Sequence, residues 1–577
     1  MSVVDVPHVP PGRLGFARRA DVDLFVERLE AFERGELSAD DWRSFRLLNG
    51  VYGQRQDGLM MIRAKLPGGI VTPAQLEALA DVAERFAGGK GHVTTRQNVQ
   101  FHFVPAADVE QALHRLAEAG ITTREACGHS VRNWTCCPLA GVARGEPFDP
   151  TPYVEALARH LLRGPYSSTL PRKLKPSLGG CCGTDCSQAF INDLGFLARV
   201  RDGARGFQLL AGGGLSTLRR SALTVEEFVP EAELLEAADA VIRVFHRIGN
   251  RHNRAKARLK WAIDKIGPAA FLAEYRAERD RIRAEGSVPL VLPPQPAPPP
   301  RRAPLAQVED PDPSFLAWAA DSVRPQKQAG FSAVVIRLVL GDITAAQLRA
   351  LAPLIVRFGE GELRTTNEQN LVLRWVPDTR LPQLHRELAR LGLALAGANT
   401  LADVTSCPGA SSCKLAVTAS RGLAAQLTAL LDRRPDLVRA ARGLDVKVSG
   451  CPHGCGQHYI AGIGFQGGMR KVAGRPAPQY LVYVGGGIRA DGADFARLLG
   501  KVPARRAAAT ALRLLDFYLA EGATGPAFWS TVPLDRLRAL IADLEKLPDA
   551  DAIEDDFVDL GESRAFEVQS GEGECAS

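Results

Sequence analysis

The chain repeats itself, and that limits its fold to architectures with room for two copies of one unit. From Leu59 it reads L-M-M-I-R-A-K-L-P-G-G-I-V-T-P-A-Q-L-E-A-L-A, followed from His92 by H-V-T-T-R-Q-N-V-Q-F-H-F-V-P. From Val334 it reads V-V-I-R-L-V-L-G-D-I-T-A-A-Q-L-R-A-L-A, followed from Leu363 by L-R-T-T-N-E-Q-N-L-V-L-R-W-V-P. The copies lie about 272 positions apart, as Thr72 and Thr344 show. Apolar runs bounded by turn residues predict strands, and Ala/Gln/Leu-rich turns behind Thr72 and Thr344 predict helices capped by those threonines. Each copy therefore reads strand, turn, amphipathic helix, turn, strand. A second echo follows: G-F-Q-L-L-A-G-G-G-L-S from Gly206 and Y-L-V-Y-V-G-G-G-I-R from Tyr480, each a buried strand running into a glycine-rich turn.

Each half thus holds a small α+β module followed by a larger α/β module. The expected boundaries are an N-terminal extension over 1–45, a first small module over 46–115 and a first α/β module over 116–285. A proline-rich linker covers 286–312, where V-P-L-V-L-P-P-Q-P-A-P-P-P-R-R-A-P suits a stiff, extended chain. The second small module then spans 313–395 and the second α/β module 396–547. The acidic tail over 548–577, with a lone Cys575, reads as mobile and solvated.

The chemistry concentrates in two short cysteine loops. Cys407 and Cys413 stand in T-S-C-P-G-A-S-S-C-K, and Cys451 and Cys455 in S-G-C-P-H-G-C-G. Four thiolates complete a 4Fe–4S cluster, and the glycines and prolines suit tight loops that aim backbone N–H groups at sulfur. A structural zinc site is the competing reading, but zinc sites favour shorter spacings of about two to four residues. The spacing favours the cluster.

With 577 residues, 46% of them hydrophobic, the chain can bury several domains' worth of core, and no apolar run is long enough to span a membrane. The first residues lack a basic start and an apolar segment, so export is not expected, and eleven cysteines, an odd number, fit metal ligation in a reducing cytoplasm. A net charge of +6 does not call for nucleic acid. Two local stretches, L-P-R-K-L-K and G-N-R-H-N-R-A-K-A-R-L-K, point instead to a small anionic ligand.

Together the duplicated module, the R-x-K-L-P-G-G stretch and the paired cysteine loops resemble the sulfite/nitrite reductase haemoprotein family, over nearly the whole chain from about Tyr52. The resemblance implies an internally duplicated α+β fold: a pseudo-two-fold ferredoxin-like unit flanked by two α/β modules, with sirohaem where the three meet. It implies a cluster on Cys407, Cys413, Cys451 and Cys455, with Cys455 also the axial ligand of the sirohaem iron. Sirohaem carries carboxylates, and the matching cationic and polar positions are Thr94, Arg96, Gln100, His102, Arg251, Arg254, Arg258 and Lys260. Without the resemblance, T-T-R-Q-N-V-Q-F-H would be an ordinary strand and the second stretch a solvated helix face.

On the substrate side the resemblance implies four cations around a small anion: Arg63, Arg132, Lys173 and Lys175. They would hold the anion, polarise its bonds and deliver protons as oxygens leave as water. Members specialised for nitrite often replace the second lysine with a smaller neutral residue, so Lys173-x-Lys175 leans toward sulfite, with nitrite-to-ammonia reduction the alternative. No flavin or nicotinamide fingerprint appears, so electrons come from a partner, a ferredoxin or a flavoprotein.

Some positions depart from the family's usual pattern. His453 stands inside the second cysteine loop, where it could meet a sirohaem carboxylate or water. Cys136, Cys137, Cys181, Cys182 and Cys186 read as small buried residues in tight loops rather than as a second metal site. Cys127 and Tyr52 are candidates for a thioether near the haem. Competing readings are a related cobalamin-pathway monooxygenase, which is generally shorter, and a redox relay or regulator without turnover, which would not need four substrate-side cations.

Overall fold

The computed structural model describes residues 13–180, 183, 185–295, 312–568 and 574. Each small module is a four-stranded antiparallel sheet backed by helices. In the first, strands Val51–Gly53, Leu59–Ala64, Val99–Pro105 and Lys90–Val93 lie side by side in that order. In the second, the order is Val323–Pro325, Phe331–Ile336, Leu371–Pro377 and Leu363–Thr365. The fifth strand of each sheet comes from the other copy: Asp342–Thr344 pairs with Lys90–His92, and Ile70–Val71 pairs with Arg364 and Leu363. The exchange welds the two modules into one pseudo-symmetric unit.

Helices Pro73–Phe86 and Ala345–Phe358 pack against each other across this unit. Leu76, Leu79, Val82 and Ala83 recur at helical spacing on one face, and Leu348, Leu351 and Ile355 do so on the other, all within one buried core. Both helices begin with the expected threonine cap, and in each the pairing is reciprocal. Gln75 N–H donates to Thr72 Oγ1 at 3.3 Å and Thr72 N–H to Gln75 Oε1 at 3.1 Å. Gln347 N–H donates to Thr344 Oγ1 at 3.1 Å and Thr344 N–H to Gln347 Oε1 at 3.0 Å. Such a cap contributes about 1 kcal/mol. The repeat extends to unusual backbone: Gln97 and Gln369 both have positive φ (57° and 68°), as do Phe103 and Trp375 (62° and 59°).

The larger modules also match. Strands Thr135–Cys136, Pro176–Gly179 and Leu194–Arg201 run parallel, and Ala204–Ala211 and Leu223–Pro230 continue the sheet antiparallel. Thr405–Ser406, Val446–Ser449, Ile463–Val472, Arg475–Val484 and Arg497–Pro503 repeat that order and those directions. The expected strands before the glycine-rich turns are the fourth of each sheet. This mixed, internally duplicated arrangement is the expected α+β fold. No helix among the described residues is long and apolar enough to cross a membrane.

Before the first repeat, helices Arg19–Glu33 and Ala39–Leu48 dock Phe25 and Trp42 into the core of the small modules. Most of the expected linker, 296–311, lies outside the described residues, as do Cys181, Cys182 and Cys575. Around residues 557–566 the expectation of a solvated acidic tail is corrected by the structure. Phe557 and Phe566 are buried, Val558 bridges to Ala565, and Ala419 N–H donates to Asp559 Oδ2 at 2.6 Å. A few apolar anchors and one carboxylate outweigh the acidic composition. The tail lies on the second α/β module, where Gly422 leaves room for Leu560: a Cβ there would stand 1.8 Å from the Leu560 carbonyl oxygen.

Candidate active site

Where the small modules meet the two α/β modules, a cavity holds about 1350 Å³ of space free of protein atoms, open to solvent. The first small module contributes Arg63, Thr94, Arg96, Gln100 and His102, and the first α/β module contributes Arg132, Lys173 and Lys175. The second α/β module contributes Cys407, Cys413, Cys451 and Cys455. Strand register explains three of the first set, because Arg63 lies opposite Gln100 and two-residue periodicity puts His102 on the same face, while Thr94 and Arg96 sit in the turn between strands Lys90–Val93 and Val99–Pro105. The second parallel sheet explains the cysteines. Thr405–Ser406 runs straight into Cys407 and Val446–Ser449 ends just before Cys451, so both loops open at strand carboxyl ends, the usual ligand side of such sheets.

Arg63, Arg132 and Lys175 are held by named partners. Arg63 Nη1 donates to the Ala126 carbonyl at 3.2 Å, lies 3.3 Å from Cys127 Sγ, and its guanidinium is 5.4 Å from the centre of the Tyr52 ring. With the Gln100 amide oxygen turned toward it, Arg63 Nε donates there at 3.0 Å. Arg132 donates to the Ala126 and Gly128 carbonyls at 2.9 and 2.8 Å. Lys175 is fixed by its backbone, whose N–H donates to Asp193 Oδ2 at 2.8 Å. Burial, then the charges of Arg258, Arg96 and Lys173, hold the Lys175 ammonium well below the ordinary lysine pKa. Such a group releases its proton readily.

Arg96 donates to Asn192 Oδ1, the Asn133 carbonyl and the Pro176 carbonyl at 2.6, 2.6 and 2.9 Å. Burial, opposed by Asp193 and reinforced by Arg132, Arg258 and Arg63, brings its pKa down to about 9. It stays charged at neutral pH. His102 is pushed to about 3 by burial and by neighbouring His92 and Arg421, so it is neutral. Its Nδ1 lies 2.9 Å from Gln54 Oε1.

The cysteine loops require their glycines. Gly409 has φ of 62° and a Cβ there would stand 2.6 Å from Ser420 N; at Gly456 a Cβ would stand 2.0 Å from the Val448 carbonyl oxygen. Cys407 Sγ accepts from Gly450 N–H at 3.4 Å and lies 3.3 Å from Ser420 Oγ. Burial, then the charge of Cys455, pushes the thiols of Cys407 and Cys451 up. Such thiols ionise only when a positive centre joins them. Among the described residues, no three His, Cys, Asp or Glu side chains converge as a single metal ion requires. Two loops bring all four cysteines to the wall of this one cavity. The cavity wall also fits a carboxylate-bearing ring: the N–H donors Arg96 Nε and Gln54 Nε2 are buried without a hydrogen-bond partner.

Not every sequence candidate lines the cavity. Arg258 and Lys260 stand behind its wall. Arg258 grips Asp193 through Nε and Nη2 at 2.8 and 2.7 Å, and Lys260 Nζ donates to the Leu215 and Leu218 carbonyls. Arg251 and Arg254 are exposed, and Arg251 donates to the Thr169 and His246 carbonyls at 3.0 and 3.1 Å. His453 is exposed, its Nδ1 3.5 Å from Ser216 Oγ, and it does not line the cavity. Tyr52 and Cys127 share one buried cluster with Leu47, Met61 and Ala126. Cys136 and Cys137 are buried in the apolar core of the first α/β module, and Cys186 packs at its edge.

Sequence reasoning missed several residues. Asp193 links Arg258 to Lys175, and Gln369 accepts from Ser406 N–H at 2.9 Å beside the first cysteine loop. Gln369 is the repeat partner of Gln97, a signal the duplication carried.

Comparison with known proteins agrees with this geometry. The pattern described as "Nitrite and sulphite reductase 4Fe-4S domain" matches residues 127–282 and 397–545, and the "Nitrite/Sulfite reductase ferredoxin-like half domain" matches 52–119 and 324–391. The chain is 32% identical to a ferredoxin–nitrite reductase of Zea mays over 486 residues, 81% of this chain and 80% of that protein. It is also 32% identical to a sulfite reductase [ferredoxin] of Mycobacterium tuberculosis over 472 residues, 78% of this chain and 80% of that one. The solved structure of the Mycobacterium tuberculosis NirA protein superposes with a TM-score of 0.76 at 28% identity, covering 92% of this chain and 98% of that one. The chain belongs to the nitrite and sulfite reductase family, oxidoreductases that carry sirohaem and a 4Fe–4S cluster.

Proposed function

We propose that this protein reduces sulfite to sulfide in the cavity described above, taking six electrons from a ferredoxin. The observation that carries this is the meeting of Arg63, Arg132, Lys173 and Lys175 with both cysteine loops around one space. In this reading Cys407, Cys413, Cys451 and Cys455 would hold the cluster, and Cys455 would also hold the sirohaem. Thr94, Arg96, Gln100 and His102 bind the sirohaem periphery, and Arg258 and Lys260 brace that wall. When bound, the cofactors would relay the ferredoxin's electrons and supply the redox chemistry of the reduction. The protein's own residues do the rest. Arg63 and Arg132, fixed by backbone carbonyls, attract and orient the anion. Lys175, with its lowered proton affinity, and its neighbour Lys173 give up protons as each oxygen leaves as water.

Nitrite is the second reading, supported by relatives of equal identity named for it. Ferredoxin as donor follows from the names of those relatives. A cytoplasmic location fits the reading of Cys407, Cys413, Cys451 and Cys455 as cluster ligands, which need a reducing compartment.

The test is anaerobic turnover of the holoprotein with reduced ferredoxin, sulfite and nitrite in parallel. A higher kcat/KM for sulfite supports the assignment, and a preference for nitrite overturns it. Cys455→Ser should abolish turnover while sulfite still reaches the cavity; full activity in that variant refutes the bridging role.

A further inference from the structure

One backbone oxygen serves both substrate-side arginines. The Ala126 carbonyl accepts from Arg63 Nη1 at 3.2 Å and from Arg132 Nη1 at 2.9 Å, although the two side chains come from different modules. Their separation, and with it the space left between them for a small anion, depends on where that oxygen stands. Like charges repel, so a shared acceptor also offsets a force that would spread the pair.

The residue before Ala126 explains the oxygen's place. Glu125 has φ of 58°, a left-handed backbone that is uncommon outside glycine. Such a residue costs about 1–3 kcal/mol and persists only where its surroundings hold it. Here they do so from every side. Glu125 N–H donates to the Leu48 carbonyl at 2.5 Å, and Ser130 Oγ donates to the Glu125 carbonyl at 3.0 Å. The side-chain Oε1 accepts from Arg163 N–H at 3.0 Å and from Ser167 Oγ at 2.8 Å. Oε2 faces the Lys65 ammonium at 3.9 Å, and both residues are buried. Lys65 Nζ in turn donates to the Val131 carbonyl at 3.3 Å, and Val131 N–H donates to the Ser167 carbonyl at 2.7 Å. The turn from Glu125 to Val131 is thus closed at both ends by the same few groups. Neither Glu125 nor Lys65 lines the cavity, whereas Ala126 and Arg132 do.

We propose that Glu125 is a positioning residue for the anion site: its buried carboxylate, held by Ser167 and the Arg163 N–H, locks the turn that carries the Ala126 carbonyl and so sets the spacing of Arg63 and Arg132. The inference rests on the reading of those two arginines as anion holders, and adds what fixes them before the anion arrives. Donors already in place need no ordering when the ligand binds, so Glu125 contributes to affinity without touching the ligand.

The experiment uses holoprotein with nitrite as probe, its binding followed without reductant by the visible absorption of the sirohaem. Glu125→Ala should bind nitrite about tenfold more weakly, the scale of a small misplacement of a positioned group. In turnover its KM should rise by a like factor while kcat changes less. Glu125→Gln keeps an oxygen that accepts from Ser167 and Arg163, and should bind close to wild type. Ser167→Ala removes one donor to that oxygen, and should weaken binding by a smaller factor than Glu125→Ala. In an Arg132→Met background the cost of Glu125→Ala should shrink, because one of the two groups it positions is gone. Wild-type affinity in Glu125→Ala and Ser167→Ala overturns the proposal, as does an undiminished cost in the Arg132→Met background or a Glu125→Gln as weak as Glu125→Ala. If Glu125→Ala does not fold, Ser167→Ala at wild-type affinity overturns it and weakened binding there supports it. Arg132→Met binding nitrite as tightly as wild type removes instead the reading of the arginines as anion holders, and this inference with it.

Discussion

Replacing Asp193 by Asn should loosen the wall behind Lys175 far more than a surface substitution would. The Asp193 side chain is fully buried and accepts from Arg258 Nε and Nη2 at 2.8 and 2.7 Å and from Lys175 N–H at 2.8 Å. Hydrogen bonds to a charged group contribute about 1.5–3 kcal/mol each, and breaking a buried ion pair on one side costs about 3–5 kcal/mol. Arg258 would be left among Arg96, Lys173 and Lys175 without its counter-ion. At about 3 kcal/mol the local opening equilibrium shifts about a hundredfold. Hydrogen exchange on peptides spanning 174–179 and 194–201, which include the strands beside Asp193, should show that loss of protection. Arg258→Met in the Asp193→Asn background should restore much of it, because both charges are then gone. Unchanged protection in Asp193→Asn, or a double variant no better than the single one, refutes the argument that the pair organises this wall.

Three further outcomes are expected. Lys175→Asn should lower kcat/KM for sulfite by about ten- to a hundredfold, the scale of one removed charge-assisted donor, and lower it less for nitrite; equal losses remove the residue-level ground for preferring sulfite. Tyr52 and Cys127, packed in one buried cluster, should be recovered from digests as a cross-linked pair two hydrogens lighter than its parts; unmodified peptides would end that idea. Burial lifts the folded-state pKa of Asp559 to about 6 from an ordinary value of 3.8. The folded form therefore holds the proton more tightly, and this contribution to stability is lost as pH rises through about 6. Proteolysis near 557–566 should quicken between pH 5 and 7, and Asp559→Asn should flatten that dependence.

The repeat was legible because its signals are local: two threonine caps, two glutamines behind them and the same apolar spacing. The exchange of Ile70–Val71 and Asp342–Thr344 was not, since which edge a strand pairs with is decided by tertiary contacts. Resemblance alone grouped Arg63, Arg132, Lys173 and Lys175, which line one cavity with the four cysteines that spacing had paired. Arg251 and Arg254 show the limit, because a dense run of cations does not say which side chains face a cavity and which face water. The tail misled for a related reason. Its acidic composition argued for solvation, whereas Phe557, Asp559 and Phe566 fasten it down. Nothing in the sequence joined Glu574 to Arg46, a pair separated by 528 positions.

The exchanged strands also set an order of events during synthesis. The first sheet stays one strand short until Thr344 has left the ribosome, and the partner edge waiting for Ile70–Val71 is not made until Thr365 follows. An early half therefore emerges with an open sheet edge that only its own later sequence can close. Until then that edge is exposed to pairing with neighbouring chains. The cysteine loops are translated after both closures, so the protein has a finished scaffold before it has anything to hold.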